Sequence, residues 1–343
     1  MFSAWNGSPG DLASPAMQLS AGARLRDWGL RCLGTRWSVE GVDLRVSLVL
    51  QWRQLIASPP SSIGKGIVMA TVAGSTIDRS PAKSDSQSLA GFADRWIYVF
   101  MAGLFIVTVL VGFIPDSLAK ISAIAAGQRP PFPPVLHVHA VLMSAWLLLL
   151  LAQTFLTATR RIGFHKQLGM VSVVLAPLMV VTGIVLVPTM FHQNWAGMQN
   201  PPPGVDLGGI EIGKKFLSSL VAAQLAVGVM FAVFVTWALA VRKTDSGMHK
   251  RLMILATVLP LPAAIDRIGW IPSTYPTSAL SPLLYTVLWI TPMILWDVVR
   301  HKQLHRAYVV WFAIYLPVAT LVANLWWSSW WIEIVQRMMG VNR

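Results

Sequence analysis

Long apolar runs separated by short basic segments constrain this chain more than any other feature. The 343 residues are 55% hydrophobic and only 12% charged, whereas a soluble domain carries about 25% charged residues. An apolar run longer than about 18 residues predicts a transmembrane helix, because a helix needs that length to cross roughly 30 Å of hydrocarbon. The sequence therefore predicts an all-α, polytopic transmembrane helix bundle.

Seven apolar runs are long enough to span a membrane. They cover residues 96–114, 135–158, 168–188, 216–241, 252–271, 279–299 and 307–327. Short basic connections join the second span to the third, the fourth to the fifth, and the sixth to the seventh. Three helical hairpins of one plan are therefore expected after a single N-terminal span, which indicates an internal repeat.

The net charge of +13 is explained by Lys and Arg in the three hairpin turns, a pattern typical of cytoplasmic loops. We expect a multi-pass protein of the bacterial inner (plasma) membrane, with its N-terminus in the cytoplasm and its C-terminus outside. The lipid bilayer is the expected partner. Nucleic acid is not, because no nucleic-acid-binding motif accompanies the charge. The single cysteine, Cys32, excludes a disulfide framework and a Cys-based metal site.

Residues 1–68 differ from the rest, with frequent charges and no run long enough to span. Two interpretations are open: an extension of the gene model with the true start at Met69, or a genuine, poorly ordered tail. A polar cytoplasmic tail over residues 69–94, a seven-span membrane domain over 95–332 and a short C-terminal tail over 333–343 are then expected.

A short basic pattern that begins with histidine recurs at the three hairpin turns. Its copies are His165-Lys166-Gln167-Leu168, His249-Lys250-Arg251-Leu252 and His301-Lys302-Gln303-Leu304. In the third hairpin, His305 fits the same phase at least as well as His301. A helix N-terminus favours neutral imidazole, and neutral imidazoles on different helices at one depth bind haem or a metal ion. The alternatives are histidines bonded to loop carbonyls or lipid phosphate at the headgroup boundary, and a proton relay.

The opposite side of the membrane carries a second set of histidines. His137 and His139 begin the second span, and His192 follows the third at a similar depth. Residues that are two positions apart on a helix are separated by about 200° of rotation, so His137 and His139 do not share a face. One of them together with His192 forms a second candidate ligand set, and a capped, hydrated pair is the alternative.

Polar residues inside the spans are candidates for a site, because charges in a membrane usually pair or face the bundle interior. Asp266 and Arg267 interrupt the fifth span, whose helix is expected to continue through residues 268–270. Either Arg267 extends outward with Asp266 as its partner, or the two form an inward-facing polar site. Asp297, one turn before His301, either orients that imidazole or ends its helix. Three further polar residues lie inside the spans without diagnostic spacing: Gln153, Gln224 and Asn324.

The helix start at His249, the His137-Val138-His139 segment and the junction at His165 resemble a group of uncharacterised bacterial multi-span membrane proteins. They are also loosely similar to a small membrane family linked to haem–copper oxidase assembly, whose helices begin with motifs of the His-Arg-Arg-Leu-Met type. The resemblance covers about residues 95 to 325. The chain departs from di-haem cytochromes of the b type, because all seven of its histidines lie at span ends rather than within spans.

This resemblance implies haem b or a copper or iron ion as cofactor, in support of respiratory redox chemistry or oxidase assembly, with respiratory-chain components as partners. The residues themselves leave two alternatives. One is a transporter or permease with a polar pathway near Asp266 and Arg267, and the other is a structural membrane subunit without a cofactor. No nucleophile elbow, phosphate loop or zinc-protease motif indicates a particular enzyme class.

Overall fold

The apolar runs form helices in the computed structural model of the protein. The structure describes residues 82–199 and 206–341, which belong to one compact unit. No strand occurs in these two ranges. Seven of the helical segments are long and apolar enough to cross a membrane. The prediction of an all-α, multi-pass bundle of three hairpins and one N-terminal span is therefore confirmed.

The described residues form nine helices. They are α1 (Ala82–Ala125), α2 (Pro134–Ala158), α3 (Ile162–Gln199), α4 (Leu207–Val241), α5 (Ser246–Thr257), α6 (Pro262–Ile265), α7 (Leu280–His301), α8 (Arg306–Leu325) and α9 (Ser329–Met338). At 1.5 Å per residue, the 44 residues of α1 and the 38 of α3 exceed the thickness of the hydrocarbon layer. These helices therefore extend beyond the apolar runs that the sequence analysis assigned to the spans.

The two predicted tails lie partly in helices. Residues 82–94 of the expected cytoplasmic tail begin α1, and residues 333–338 of the expected C-terminal tail belong to α9. The interpretations of residues 1–68, and of the first part of the polar tail, concern residues outside those that the structure describes.

The fifth span lies at the centre of the bundle and consists of α5 and α6. Two thirds of its apolar window is buried (67%), against 22–39% for the other six spans. It packs against α1, α4 and α8, and two tryptophans from neighbouring helices bond to it. Trp146 of α2 donates to the Thr257 hydroxyl at 3.0 Å, and Trp311 of α8 donates to the Leu255 carbonyl at 3.0 Å. The other spans surround it with apolar outer faces suited to lipid.

Prolines break this central span, whereas the prolines of the outer spans do not interrupt their helices. Pro260 and Pro262 have no N–H to donate to the carbonyls of Ala256 and Val258. These carbonyls instead accept from Leu259 and Leu261 in tighter, 3₁₀-type bonds. The prediction that the helix continues through residues 268–270 is wrong: α6 ends at Ile265, turns follow, and Trp270 is exposed.

A glycine allows the broken span to approach α1 closely. A Cβ atom at Gly112 would lie 2.2 Å from the Ala264 carbonyl oxygen, far inside van der Waals contact. Since backbone carbonyls cannot rotate away as a flexible side chain does, only glycine fits at this crossing without a shift of one helix.

Candidate metal site and polar clusters

Three tight turns lie at one end of the bundle, which we call the basic end. They connect α2 to α3, α4 to α5, and α7 to α8. Arg160 and Lys302 adopt left-handed φ values of 61° and 55°, the conformation that commonly ends a helix and reverses the chain. Short turns of this kind place the first residues of α3, α5 and α8 at the same end of the bundle.

The basic end brings two of the repeated histidines together. The ring centroids of His165 and His249 lie 6.5 Å apart, with their planes at 80°. The Nδ1 atom of His249 is 2.8 Å from the Ala238 carbonyl oxygen, and that of His165 is 3.3 Å from the Gln153 carbonyl oxygen. Because a carbonyl only accepts, each Nδ1 carries a proton, which in the neutral imidazole leaves the lone pair on Nε2. The same kind of bond fixes the tautomer of metal-ligating histidines.

The two histidines occupy equivalent positions in two repeated hairpins. The acceptor carbonyl precedes the histidine by 12 residues in α2–α3 and by 11 in α4–α5. Seven residues before these acceptors lie Trp146 and Phe231, whose rings also meet, at 5.2 Å. The two hairpins therefore share a local plan, in which equivalent residues contact each other.

The separation of the two rings is close to that of imidazoles that share a metal ion. Metal–nitrogen bonds are about 2 Å long, so imidazoles sharing one ion through Nε2 place their ring centres roughly 5–6 Å apart, slightly closer than the 6.5 Å between these rings. Among the described residues, no three or more His, Cys, Asp or Glu side chains are grouped so that they hold a metal ion. His165 and His249 are therefore a two-imidazole arrangement, and a bound ion needs further donors of another type.

The third hairpin differs from the other two, and in it His305 rather than His301 lies at the start of the second helix. His301 is the last residue of α7, whereas His305 is the N-cap of α8. The His305 Nδ1 atom accepts from the Ala307 N–H at 3.1 Å, so its proton resides on Nε2. Burial, together with the charge of Arg251, lowers the pKa of His305. His305 is a helix cap rather than an equivalent of His165 and His249.

Asp245 links the second and third hairpins beside His305. Its carboxylate accepts from the Met248 N–H at 2.9 Å, which caps α5, and it also pairs with Arg306 at the start of α8. Partial burial opposes ionisation, but these two hydrogen bonds outweigh it and lower the pKa of Asp245.

The histidines at the opposite end have three separate environments. His139 forms a 3.0 Å hydrogen bond with the Thr182 hydroxyl between α2 and α3. His137 is exposed and packs edge-on against Phe132, and His192 is exposed and packs against its neighbour Phe191. The three histidines contact different partners, and within the described residues none contacts another histidine, so these contacts give the proposed second ligand set no common point.

Asp297 belongs to a buried cluster that joins three helices at the basic end. The Arg251 guanidinium donates to both of its oxygens, at 2.6 and 2.8 Å, and the Tyr308 hydroxyl donates at 2.5 Å. The Nε2 atom of His301 is 3.9 Å away, too far for a hydrogen bond. The principal partner of Asp297 is therefore Arg251 of the central span rather than the imidazole of His301.

Asp266 and Arg267 separate at the opposite end instead of pairing with each other. The Arg267 Nε atom donates to Asp116 of α1 at 3.1 Å, and Lys120 bonds the same oxygen at 2.5 Å. Asp266 accepts from the Ser273 hydroxyl at 2.8 Å, and burial raises the pKa of Asp266 despite this bond. The central span thus has an arginine bonded to a neighbouring helix at each end: Arg251 bonds to α7 near its start, and Arg267 bonds to α1 just after its last helical residue.

Arg251, Asp116 and Tyr308 are residues that the sequence analysis missed. One signal was available for Arg251: a carboxylate within an apolar span needs a cation at the same depth, and the tetrapeptide at His249 carries an arginine where that at His165 carries Gln167. Asp116 lies beyond the apolar run, which ends before Pro115, although α1 continues to Ala125.

Comparison with known proteins adds no family to these observations. No protein-family model, no curated protein and no solved structure matches the chain. The functional argument therefore depends on the geometry of this chain alone.

Proposed function

We propose that this multi-pass protein binds a transition metal between His165 and His249, as a copper or iron ion or as haem iron. The proposed role is support of respiratory redox chemistry or oxidase assembly in the bacterial inner membrane, with respiratory-chain components as partners. The observation that carries the proposal is the pair of imidazoles 6.5 Å apart, each with Nδ1–H bonded to a main-chain carbonyl. Both Nε2 lone pairs are then available for coordination.

The charge distribution supports the orientation of the site. Lys and Arg in the turns of the basic end favour a cytoplasmic position for that end. In this orientation His165 and His249 lie at the cytoplasmic boundary, and the C-terminus is outside. A reporter that is active only in the cytoplasm is expected to be inactive when fused after Arg343; activity there would contradict this orientation.

A transporter with a pathway near Asp266 and Arg267 has less support. The charges that would line the pathway are engaged, because Arg267 donates to Asp116 and Asp266 accepts from Ser273. The carbonyls at the break of the central span accept 3₁₀-type bonds within the segment, so the break does not expose them to a substrate. A structural subunit without a cofactor explains the bundle but gives no reason for two neighbouring imidazoles whose Nδ1 atoms both bond to main-chain carbonyls.

Metal content and the visible spectrum of the detergent-purified full chain test the proposal. We expect about one bound metal per chain, lost in His165→Phe and in His249→Phe and retained in the control His192→Phe. A Soret band identifies haem iron, and a bound ion without one identifies a free metal. A protein that contains no metal and takes up none on reconstitution would overturn the proposal, as would undiminished metal in both histidine variants.

A further inference from the structure

Gln153 carries an amide that the fold leaves without a partner. Its Oε1 and Nε2 atoms are both inaccessible to solvent, and neither forms a hydrogen bond within the described part of the chain. Burying an amide without hydrogen bonds costs on the order of 1–3 kcal/mol. Buried amides are nearly always bonded to protein or water, so this one indicates a ligand.

Gln153 lies beside His165. The main-chain carbonyl of Gln153 accepts the His165 Nδ1–H, and its side-chain Nε2 atom is 3.5 Å from the position of a Cβ atom at Gly169. Gly169 follows His165 by one helical turn, so both residues face the same side of α3. The Gln153 amide therefore packs at ordinary van der Waals distance against the face of α3 that carries His165.

The repeated plan of the two hairpins makes Gln153 distinctive. Its equivalent in α4 is Ala238, whose carbonyl accepts from His249 but whose side chain has no donor or acceptor. The imidazoles are therefore duplicated, whereas the amide is supplied by one hairpin only. Two histidines at equivalent positions, combined with one additional oxygen donor, form a three-donor arrangement.

We propose that Gln153 Oε1 is the third donor to the metal held by His165 and His249, and that this metal is a free divalent first-row ion. This inference rests on the proposed function. Two imidazoles and an amide oxygen form a borderline donor set, which suits copper(II), zinc or nickel better than soft copper(I) or hard magnesium. Haem iron needs only two axial ligands from the protein, so a third protein donor has no place in a haem site.

Titration of the detergent-solubilised full chain with copper(II) tests this assignment. Gln153→Leu keeps the size of the side chain without its amide and is expected to weaken copper(II) binding by about 10–100-fold. Gln153→Glu supplies an oxygen with a charge and is expected to bind at least as tightly as the wild type. The control is Gln193→Leu, which removes an amide that bonds to the Pro131 carbonyl at the opposite end and is expected to bind as the wild type does.

The outcomes separate this inference from the proposed function. Wild-type protein that binds no metal overturns both. Equal copper(II) affinities of Gln153→Leu and the wild type overturn only the role of Gln153, and so does a Soret band that the Gln153→Leu variant retains. The melting temperature of the metal-free Gln153→Leu protein is an independent readout: it is expected to equal or exceed that of the wild type, because an unpaired buried amide has been removed.

Discussion

At the scale of single residues, the contacts of Asp297 explain how a charge is accommodated in an otherwise apolar span. Asp297 is 3% exposed and receives three hydrogen bonds, two of them from an arginine that is itself only 4% exposed. Removing one partner of a buried ion pair leaves the other charge uncompensated, whereas replacing both can be nearly neutral. Arg251 and Asp297 are therefore expected to depend on each other for stability.

Arg251→Leu and Asp297→Leu are each expected to lower the free energy of unfolding by about 3–5 kcal/mol. The double variant is expected to lose clearly less than the sum of the two single losses, because it leaves no unpaired charge. Glu333→Ala, which breaks the exposed pair with Arg337, serves as the control and is expected to cost less than about 1 kcal/mol. Additive losses in the double variant would contradict the coupling.

His305 gives the protein a specific dependence on pH. Its pKa is lowered in the folded state, so the unfolded chain binds this proton more readily. The stability that neutral His305 contributes is present above the unfolded pKa of about 6.5 and is lost as the pH falls below it. Asn at this position keeps an acceptor for the cap but does not titrate.

We therefore expect the thermal unfolding temperature of the wild type to fall more than that of His305→Asn between about pH 7.5 and pH 5.5. His192→Asn replaces an exposed histidine at the opposite end and is expected to follow the wild-type curve. Parallel curves for the wild type and His305→Asn would show that His305 is not the titrating group.

At the scale of elements, the break in the fifth span depends on how closely it approaches α1. The 3₁₀-type segment around Pro260 and Pro262 displaces α6 from the axis of a continuous helix, and the Ala264 carbonyl lies against Gly112. Charge pairing reinforces this contact, since Arg267 bonds to Asp116 one turn further along α1. The close approach and the ion pair together hold α6 against α1.

Gly112→Ala tests this contact with a matched control in the same helix. The new Cβ atom would meet the Ala264 oxygen at 2.2 Å, so we expect a loss of about 1–3 kcal/mol, as for other overpacked sites. Gly103→Ala adds a Cβ atom with nothing within 4 Å and is expected to stabilise α1 by up to about 1 kcal/mol, because Ala has the higher helix propensity. Equal effects of the two substitutions on the melting temperature would contradict the close approach.

At the scale of the whole molecule, hydropathy and charge predicted the architecture, because both are local properties of the chain. The spans and the basic turns follow from apolar length and from Lys and Arg placement alone. The central position of the fifth span does not, since it depends on which helices pack together. The pairing of Arg251 with Asp297 could not be predicted either, because the two residues are 46 positions apart in sequence. The end of the helix at Thr257 also depends on packing, since the contact at Gly112 accompanies the prolines.

The candidate site was predictable only in part, for the same reason. The repeated tetrapeptide marked His165 and His249, but also His301, which ends a helix instead of opening one. The sequence could not specify that two hairpins bring equivalent histidines together while the third caps its helix with His305. Gln153 was visible as a polar residue in a span, but its position beside His165 follows from the α2–α3 packing.

Pulsed electron paramagnetic resonance of the copper(II)-loaded, detergent-purified protein tests the central claim most directly. A copper-bound imidazole modulates the electron spin echo through its remote, protonated nitrogen, and the depth of modulation reports the number of such rings. The account predicts two imidazoles bound through Nε2 in the wild type and one in His165→Phe or His249→Phe. An echo without imidazole modulation in the wild type, or an unchanged signal in both variants, would contradict it.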